Sequence, residues 1–184
     1  MITVIAGVNG AGKSSIVGSA ITARGGRYYN PDEIARKLRE NEGLGDVEAN
    51  EKAWHLGRDL LEQAIASKMD YTFETTLGGN TITSMLLAAG RSGVSIRVFY
   101  CGLSSPELHM ARVAARVARG GHPIPDDMIR QRWSSSVFNM MQLIPFCEAV
   151  AVWDNSQTCS SGKPQPVKVF SFENGVFDRD GIPS

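Results

Sequence analysis

The sequence carries no surplus of charge. Its 184 residues include 19 Lys+Arg and 19 Asp+Glu, a formal net charge of +0. Nucleic-acid binding rests on a basic excess that neutralises phosphates, so no nucleic-acid partner is expected and any anion site must be built locally. Cysteine is scarce. Cys101, Cys147 and Cys159 are odd in number and show no C-x-x-C spacing. That excludes a disulfide framework or a zinc site as the organising feature and fits reduced thiols in a cytoplasmic protein. Long apolar runs are absent too. The start, Met-Ile-Thr-Val-Ile-Ala-Gly, has no basic stretch ahead of an extended apolar segment, so neither a signal peptide nor a membrane span is expected. No repeat, low-complexity segment or linker divides the chain. A length of this order suits one domain, expected over residues 1–184.

What is present is alternation. Ile2 to Ala6 is a β-branched apolar run ending at glycine, a buried strand by pattern. Lys13 to Thr22 suits a helix, and Tyr28-Tyr29 a short strand. Pro31 opens the next helix, with Asp32-Glu33 at its positive end. Asp46 is positioned to cap a helix to about Lys68, with Ala53, Leu56, Leu60, Leu61, Ala64 and Ile65 near the helical period. Further strands are predicted at Tyr71 to Phe73, Val94 to Cys101 and Ala149 to Trp153. Further helices are predicted at Thr81 to Ala89, from Pro106 to about Arg119, and from Pro125 onward, the last with Ile129, Trp133, Val137 and Met140 on one face. Trp133, Met140 and Met141 read as core. Val167 to Phe172 and Val176-Phe177 flank Glu173-Asn174-Gly175, the pattern of a hairpin over 167–178. Strands alternating with helices predict an α/β fold with a mainly parallel sheet.

Gly7-Val8-Asn9-Gly10-Ala11-Gly12-Lys13-Ser14 matches G-x-x-x-x-G-K-[ST], with a strand before it and a helix after it. The glycines let backbone N–H groups turn toward phosphate oxygens, and the helix start adds positive potential. Lys13 suits the β- and γ-phosphates, and the Ser14 hydroxyl suits Mg²⁺, a hard cation that prefers oxygen. Gly7, Asn9, Gly10, Ala11, Gly12, Lys13, Ser14 and Ser15 are therefore the candidate nucleotide contacts, with Ser14 the candidate metal ligand. No N-K-x-D string for guanine occurs, so ATP is the expected nucleotide.

Ligands of open α/β sheets bind beyond the carboxyl ends of the strands. Three carboxylates fall there: Asp32, Glu74 and Asp154. Asp32 reads either as a favourable charge at a helix start or as the base for a substrate hydroxyl, as aspartate serves in kinases. Glu74 reads as a structural hydrogen-bond acceptor, a substrate contact or support for Mg²⁺. Asp154 ends an apolar run and fits a turn-former as well as a Walker B residue. Arg112, Arg116 and Arg119 are spaced to share one helical face, and Arg130 and Arg132 follow the Gly120-Gly121 break. Pro106 to Trp133 holds these five basic residues against Glu107, Asp126 and Asp127. This segment, about 105–133, is the expected lid, hinged at the glycines, whose arginines would stabilise a phosphoryl group in flight. His122 reads as a loop residue, and His55 and His109 show no metal spacing.

Four stretches taken together, G-V-N-G-A-G-K-S, N-P-D-E-I-A, F-E-T-T-L-G-G and R-V-A-R-G-G-H-P-I-P-D-D-M-I-R-Q-R-W, resemble the zeta-toxin-like P-loop kinase family over roughly Met1 to Asn155. The resemblance implies a nucleoside-monophosphate-kinase-like parallel sheet of five strands in the order 2-3-1-4-5, with helices on both faces, and it puts Glu74 beside the P-loop. It implies ATP and Mg²⁺ as cofactors and transfer to the 3′-hydroxyl of a UDP-linked N-acetyl amino sugar. Carried onto this sequence, it makes Asp32 the base, with Lys13, Arg119 and Arg132 acting on the phosphates. Asp32, Glu74, Thr75 and Thr76 would hold the nucleotide sugar. Two other readings stand beside it. One is a kinase of another hydroxylated metabolite, a nucleoside or sugar. The other is a toxin–antitoxin nucleotide-binding module acting through an antitoxin protein.

Overall fold

The computed structural model describes residues 1–160, 164–173 and 175–178. β1 (Ile2–Ala6) lies inside a six-stranded sheet, between β2 (Tyr71–Thr75) and β3 (Ile96–Gly102). β4 (Ala149–Asp154) follows β3, and all these pairings are parallel. β5 (Val167–Glu173) and β6 (Val176–Asp178) then add antiparallel, giving the order β2-β1-β3-β4-β5-β6. The fold is the expected P-loop α/β architecture, extended by this hairpin into a mixed sheet. Position 174 of the expected hairpin lies outside the described residues.

Tyr28-Tyr29 does not make a full strand. Tyr29 alone forms a parallel bridge to Phe73, because Asn30 and Pro31 turn the chain at once into α2 (Pro31–Glu42). The Asn30 side chain accepts from the Asp32 and Glu33 N–H groups at 3.0 and 3.4 Å and so caps the helix. The bridge still stands where the implied order 2-3-1-4-5 places its second strand.

Period-two alternation in β1 sorts the core. Ile2, Val4 and Ala6 face the larger cluster with Leu61 and Ala64 of α3 (Asp46–Ala66), Leu86 of α4 (Asn80–Arg91) and Leu143 of α6 (Asp126–Leu143). Ile5 faces the opposite side with Val17 and Cys101. Beside the P-loop, Val8 packs with Val113 of α5 (Pro106–Val117) and Ile129 of α6. Among the described residues no helix is long and apolar enough to cross a membrane.

Several local expectations shift. The segment after the P-loop starts as a π-helical turn, Ser14–Gly18, before α1 (Ser19–Ala23). Gly45, not Asp46, occupies the cap position of α3. Val94 closes α4 by donating to the Ala89 carbonyl (3.0 Å), so β3 begins at Ile96. Leu56 and Leu60 are 42% and 40% exposed, and Met141 is 61% exposed, so none of them is core. Trp133 is half-buried, its indole N–H donating to the Leu103 carbonyl at 3.2 Å.

α3 is seated on the bridge residue. A Cβ at Gly57 would lie 2.7 Å from Tyr29 Cε1. The ring cannot retreat, because the Tyr29 hydroxyl donates to the Ala53 carbonyl at 2.5 Å. Burial pushes that phenol up to about 12, which keeps the donor protonated. At an open helical site, Gly→Ala gains about 1 kcal/mol. Here we expect Gly57→Ala to cost about 1–3 kcal/mol through overpacking, read as a lower urea midpoint. An unchanged midpoint would show that α3 is not seated on Tyr29.

Candidate active site

The P-loop leaves β1 at Gly7, whose φ is 137°. A Cβ there would lie 2.1 Å from the Cys101 carbonyl oxygen of β3, so only glycine fits. Gly12, at φ 89°, is pressed by Asn155, whose Nδ2 would stand 2.5 Å from an added Cβ. The Ala11 N–H closes a turn onto the Val8 carbonyl at 3.1 Å. The chain then enters the Ser14–Gly18 turn, whose first N–H groups lie ahead of any intrahelical acceptor. Asn9, Gly10, Ala11 and Gly12 thus form a curled, Cβ-poor rim, and exposed Ser15 bonds back to the Gly12 carbonyl at 3.1 Å.

Three groups hold this curl. His109 of α5 is fully buried, and its Nδ1 lies 2.8 Å from the Asn9 carbonyl oxygen. A carbonyl only accepts, so His109 carries its proton on Nδ1. Asn155, at the end of β4, donates from Nδ2 to the Ala11 carbonyl at 2.8 Å. The Asn155 backbone carbonyl accepts from Arg112 at 2.7 Å. Asp154 beside it accepts from the Ser156 N–H at 2.9 Å and from the Ser156 hydroxyl. It is the turn-former of the two sequence readings. Arg132 donates to Asn9 Oδ1 at 2.8 Å, its stem running over Gly78, where a Cβ would meet Arg132 Cγ at 2.7 Å.

The Lys13 ammonium is buried. It donates to the Gly7 carbonyl at 2.6 Å and lies 3.5 Å from Glu74 Oε1. The Ser14 hydroxyl donates to Glu74 Oε2 at 2.8 Å. Ser14 and Glu74 together offer hard oxygen donors beside the phosphate cradle, a set that fits Mg²⁺. Among the described residues no group of three or more His, Cys, Asp or Glu could hold a metal by itself, so substrate oxygens and water would complete the coordination.

A cleft of about 920 Å³ opens beside the cradle. Asn9, Asp32, Glu74, Thr75, Thr76 and Arg132 all line it. The structure therefore brings together most of the residues expected from the sequence. Thr75 and Thr76 accept from the Leu77 and Gly78 N–H groups at 3.1 and 3.3 Å, and each hydroxyl keeps its hydrogen to donate. Burial pulls the Arg132 pKa down while the Asp32 charge opposes the shift.

Arg119 is the exception. The expected stripe Arg112, Arg116, Arg119 assumed a helix to 119, but α5 stops at Val117 and Gly120 adopts φ 89°. Arg119 is exposed and turned back, its Nε donating to the Ala115 carbonyl at 3.0 Å. Arg116 faces the site instead, with Nη1 3.5 Å from Asp32 Oδ2 and Nη2 donating to the His122 carbonyl at 3.2 Å. Gly121 is packed against the Arg116 stem, so it is a contact point and not a free hinge. Arg130 pairs with Glu107 at 2.7 Å. Sequence reasoning missed His109 and Asn155. Asn155 follows the Asp154 that did attract notice, whereas no local signal marks His109.

The fold and this loop define a P-loop kinase-like domain, a fold that implies nucleotide binding. The chain belongs to the AAA domain family, whose profile matches residues 2–136. An uncharacterized protein of Haemophilus influenzae is 32% identical over 137 residues, 69% of this chain and 88% of the relative. Among solved structures, the AvrRxo1-ORF1:-ORF2 complex with ATP superposes over 98% of this chain with a TM-score of 0.73 and 16% identity. This chain spans 60% of that one. The PezAT chromosomal toxin–antitoxin system of Streptococcus pneumoniae superposes over 89% of this chain and 68% of the other, with a TM-score of 0.57 and 14% identity. At these identities the likeness is one of fold.

The burial of His109 yields a pH prediction. Burial first, then the nearby Lys13 and Arg112 charges, lower its pKa, against the bond to Asn9. The unfolded chain keeps the ordinary value of about 6.5. As pH falls below that value the unfolded state takes up the proton first, so this part of the stability is present at higher pH and lost on acidification. We expect the melting temperature to fall from pH 7.5 to 5.5, and to fall less in His109→Gln, which retains a donor for Asn9. Equal slopes in the two proteins would remove His109 from the account.

Proposed function

We propose that this protein is an ATP-dependent kinase that transfers the γ-phosphoryl group to a hydroxyl of a small molecule. One observation carries the reading: Asp32 lines the same cleft as Asn9, Arg132 and Glu74, and Glu74 contacts both the P-loop lysine and the P-loop serine. An acceptor hydroxyl in that cleft meets a carboxylate that can take its proton while its oxygen bonds to the γ-phosphorus and the bond to the β-phosphate oxygen breaks. Lys13 and Arg132 supply positive charge to the phosphate oxygens. Arg116 reaches Asp32 and is placed to keep that carboxylate aimed. Mg²⁺, held at Ser14 and Glu74, would neutralise charge on the phosphates when bound.

The acceptor implied by the zeta-toxin-like resemblance is UDP-N-acetylglucosamine, and another hydroxylated nucleoside or sugar is the alternative. A second reading, a partner protein of antitoxin type, draws on α6. Phe138 and Met141 stand out there with 64% and 61% of their surface exposed, and the PezAT system is described as a toxin with its antitoxin.

The test is incubation with ATP, Mg²⁺ and a panel of nucleotide sugars, sugars and nucleosides, with products read by mass spectrometry. A phosphorylated acceptor supports the kinase; ATP that binds without phosphorylating any of the panel counts against it. Asp32→Asn should keep ATP affinity and lose about 10²–10⁴ in transfer rate. Wild-type turnover in that variant would make Asp32 a helix-start residue only.

The arginines give a ranking. Arg116→Ala and Arg132→Ala should lower kcat by about tenfold to a thousandfold, within the range of single electrostatic groups. Arg119→Ala should stay within about twofold of wild type, since exposed charges contribute little. The reverse order, measured under saturating ATP, would restore Arg119 as the clamp.

A further inference from the structure

Among the helices that wall the cleft are α3, through Trp54 and Arg58, and α6, through Gln131 and Arg132. Thr75 ends β2, Thr76 follows it, and both line the same cleft. Each hydroxyl is held by a main-chain donor of its own loop. The Leu77 N–H reaches Thr75 Oγ1 at 3.1 Å, and the Gly78 N–H reaches Thr76 Oγ1 at 3.3 Å. These N–H groups share rigid peptide planes with the carbonyls of Thr76 and Leu77. In a trans peptide the carbonyl points opposite to the N–H. Whatever grips those carbonyls therefore aims the N–H groups, and through them the two hydroxyls.

The grip comes from α6. Arg132, Ser135, Ser136 and Asn139 lie at i, i+3, i+4 and i+7, which puts them on one helical face. The Ser136 hydroxyl donates to the Thr76 carbonyl at 2.7 Å. Asn139 Nδ2 donates to the Leu77 carbonyl at 2.9 Å and to the Gly79 carbonyl at 3.3 Å. The Ser135 hydroxyl lies 2.9 Å from the Gly78 carbonyl. The successive carbonyls from Thr76 to Gly79 thus all end on one helix, and Arg132 of the same face bonds to Asn9 of the P-loop. The Ser136 hydrogen is spent on Thr76, so the Tyr100 hydroxyl, 3.1 Å away, is the donor to Ser136 Oγ.

Packing alone does not account for these residues. Ser136 and Asn139 are buried, and apolar side chains would fill the same space without needing partners. Leu77 is buried as well, yet its φ is 54°, in the left-handed region that disfavours a residue with a Cβ. Such a conformation persists where its surroundings over-determine it, and directional bonds from α6 do so here. We infer that Ser136 and Asn139 are positioning residues for the acceptor. They set the Thr76–Leu77 and Leu77–Gly78 peptide planes and so fix the Thr75 and Thr76 hydroxyls that meet it. The inference rests on the kinase reading of the cleft, and it gives α6 a second task beside carrying Arg132.

The test uses ATP, Mg²⁺ and, as acceptor, the member of the nucleotide-sugar, sugar and nucleoside panel that the wild-type protein phosphorylates. Ser136→Ala and Asn139→Ala should bind a non-hydrolysable ATP analogue within about twofold of wild type, since neither residue bonds to the P-loop. Their kcat/KM for the acceptor should fall by about tenfold to a hundredfold, the scale set by a misplacement of about 1 Å. Ser135→Ala, at a half-buried position, should show a smaller loss of the same kind and serves where Asn139→Ala does not fold. Thr75→Val removes the hydroxyl that Ser136 aims, so adding Ser136→Ala to it should cost much less than Ser136→Ala costs alone. Leu143→Val, one turn beyond Asn139 in the buried core, should lower the melting temperature and leave acceptor kcat/KM within about twofold. Wild-type acceptor kinetics in Ser136→Ala and Asn139→Ala would overturn the inference and leave the kinase intact. So would full additivity with Thr75→Val, or an equal loss in Leu143→Val, either of which would make this helix face structural only. If no member of the panel is phosphorylated, the kinase reading falls, and the inference with it.

Discussion

The buried ammonium of Lys13 is the constraint on which the rest of the site depends. A cation removed from water costs several kcal/mol unless oxygens replace its hydration. The oxygens come from two strands: the Gly7 carbonyl at the end of β1 and the Glu74 carboxylate at the end of β2. They meet because β2 runs parallel to β1, with Ile5 opposite Glu74 and Ala6 opposite Thr75. Reversing either strand would send the carboxylate to the far edge of the sheet. Strand order and site chemistry are thus one fact.

The same loop is pressed from three other elements. The β3 carbonyl of Cys101 stands at Gly7, the α5 backbone at Gly10 and the Asn155 amide at Gly12. Each contact excludes a side chain, and the hydrogen bonds from His109 and Asn155 then fix the carbonyls of Asn9 and Ala11. The loop is thereby held in one shape before any anion arrives, which is the condition under which preorganised donors gain their strength.

Much of this was legible where the signal is local. The P-loop pattern names its own strand, turn and helix, and Pro31 and Pro106 mark helix starts, which Asn30 and Ser105 cap in the structure. The signal failed where a residue's role depends on distant chain. The resemblance preferred Arg119 to Arg116, but α5 ends at Val117 and Arg119 turns back to the Ala115 carbonyl. Leu56, Leu60 and Met141 carry core-type side chains but point away from the core. His109 and Asn155 act through carbonyls about 100 and 144 residues earlier in the chain, a separation that no periodicity reveals. Tyr28-Tyr29 had strand composition, but Pro31 left room for a single bridge.

Tyr29 shows how that bridge earns its place. Its N–H donates to the Thr72 carbonyl and its carbonyl accepts from the Glu74 N–H, both at 2.8 Å. Its ring packs on Gly57, and its hydroxyl is tied to Ala53. Three residues later comes Asp32. One side chain therefore sets the spacing between the carboxylate that would accept the proton, the strand end that carries Glu74 and the α3 wall of the cleft. Hydrogen bonds and ring packing through Tyr29 join these parts. The arginine segment is joined differently. Its link to Asp32 is the 3.5 Å ion pair from Arg116, between partly exposed groups, a kind of contact that contributes about 0–1 kcal/mol. Tyr29 thus ties the α3 wall and the Glu74 strand end to the stretch that carries Asp32, whereas Arg116 reaches Asp32 through one partly exposed ion pair.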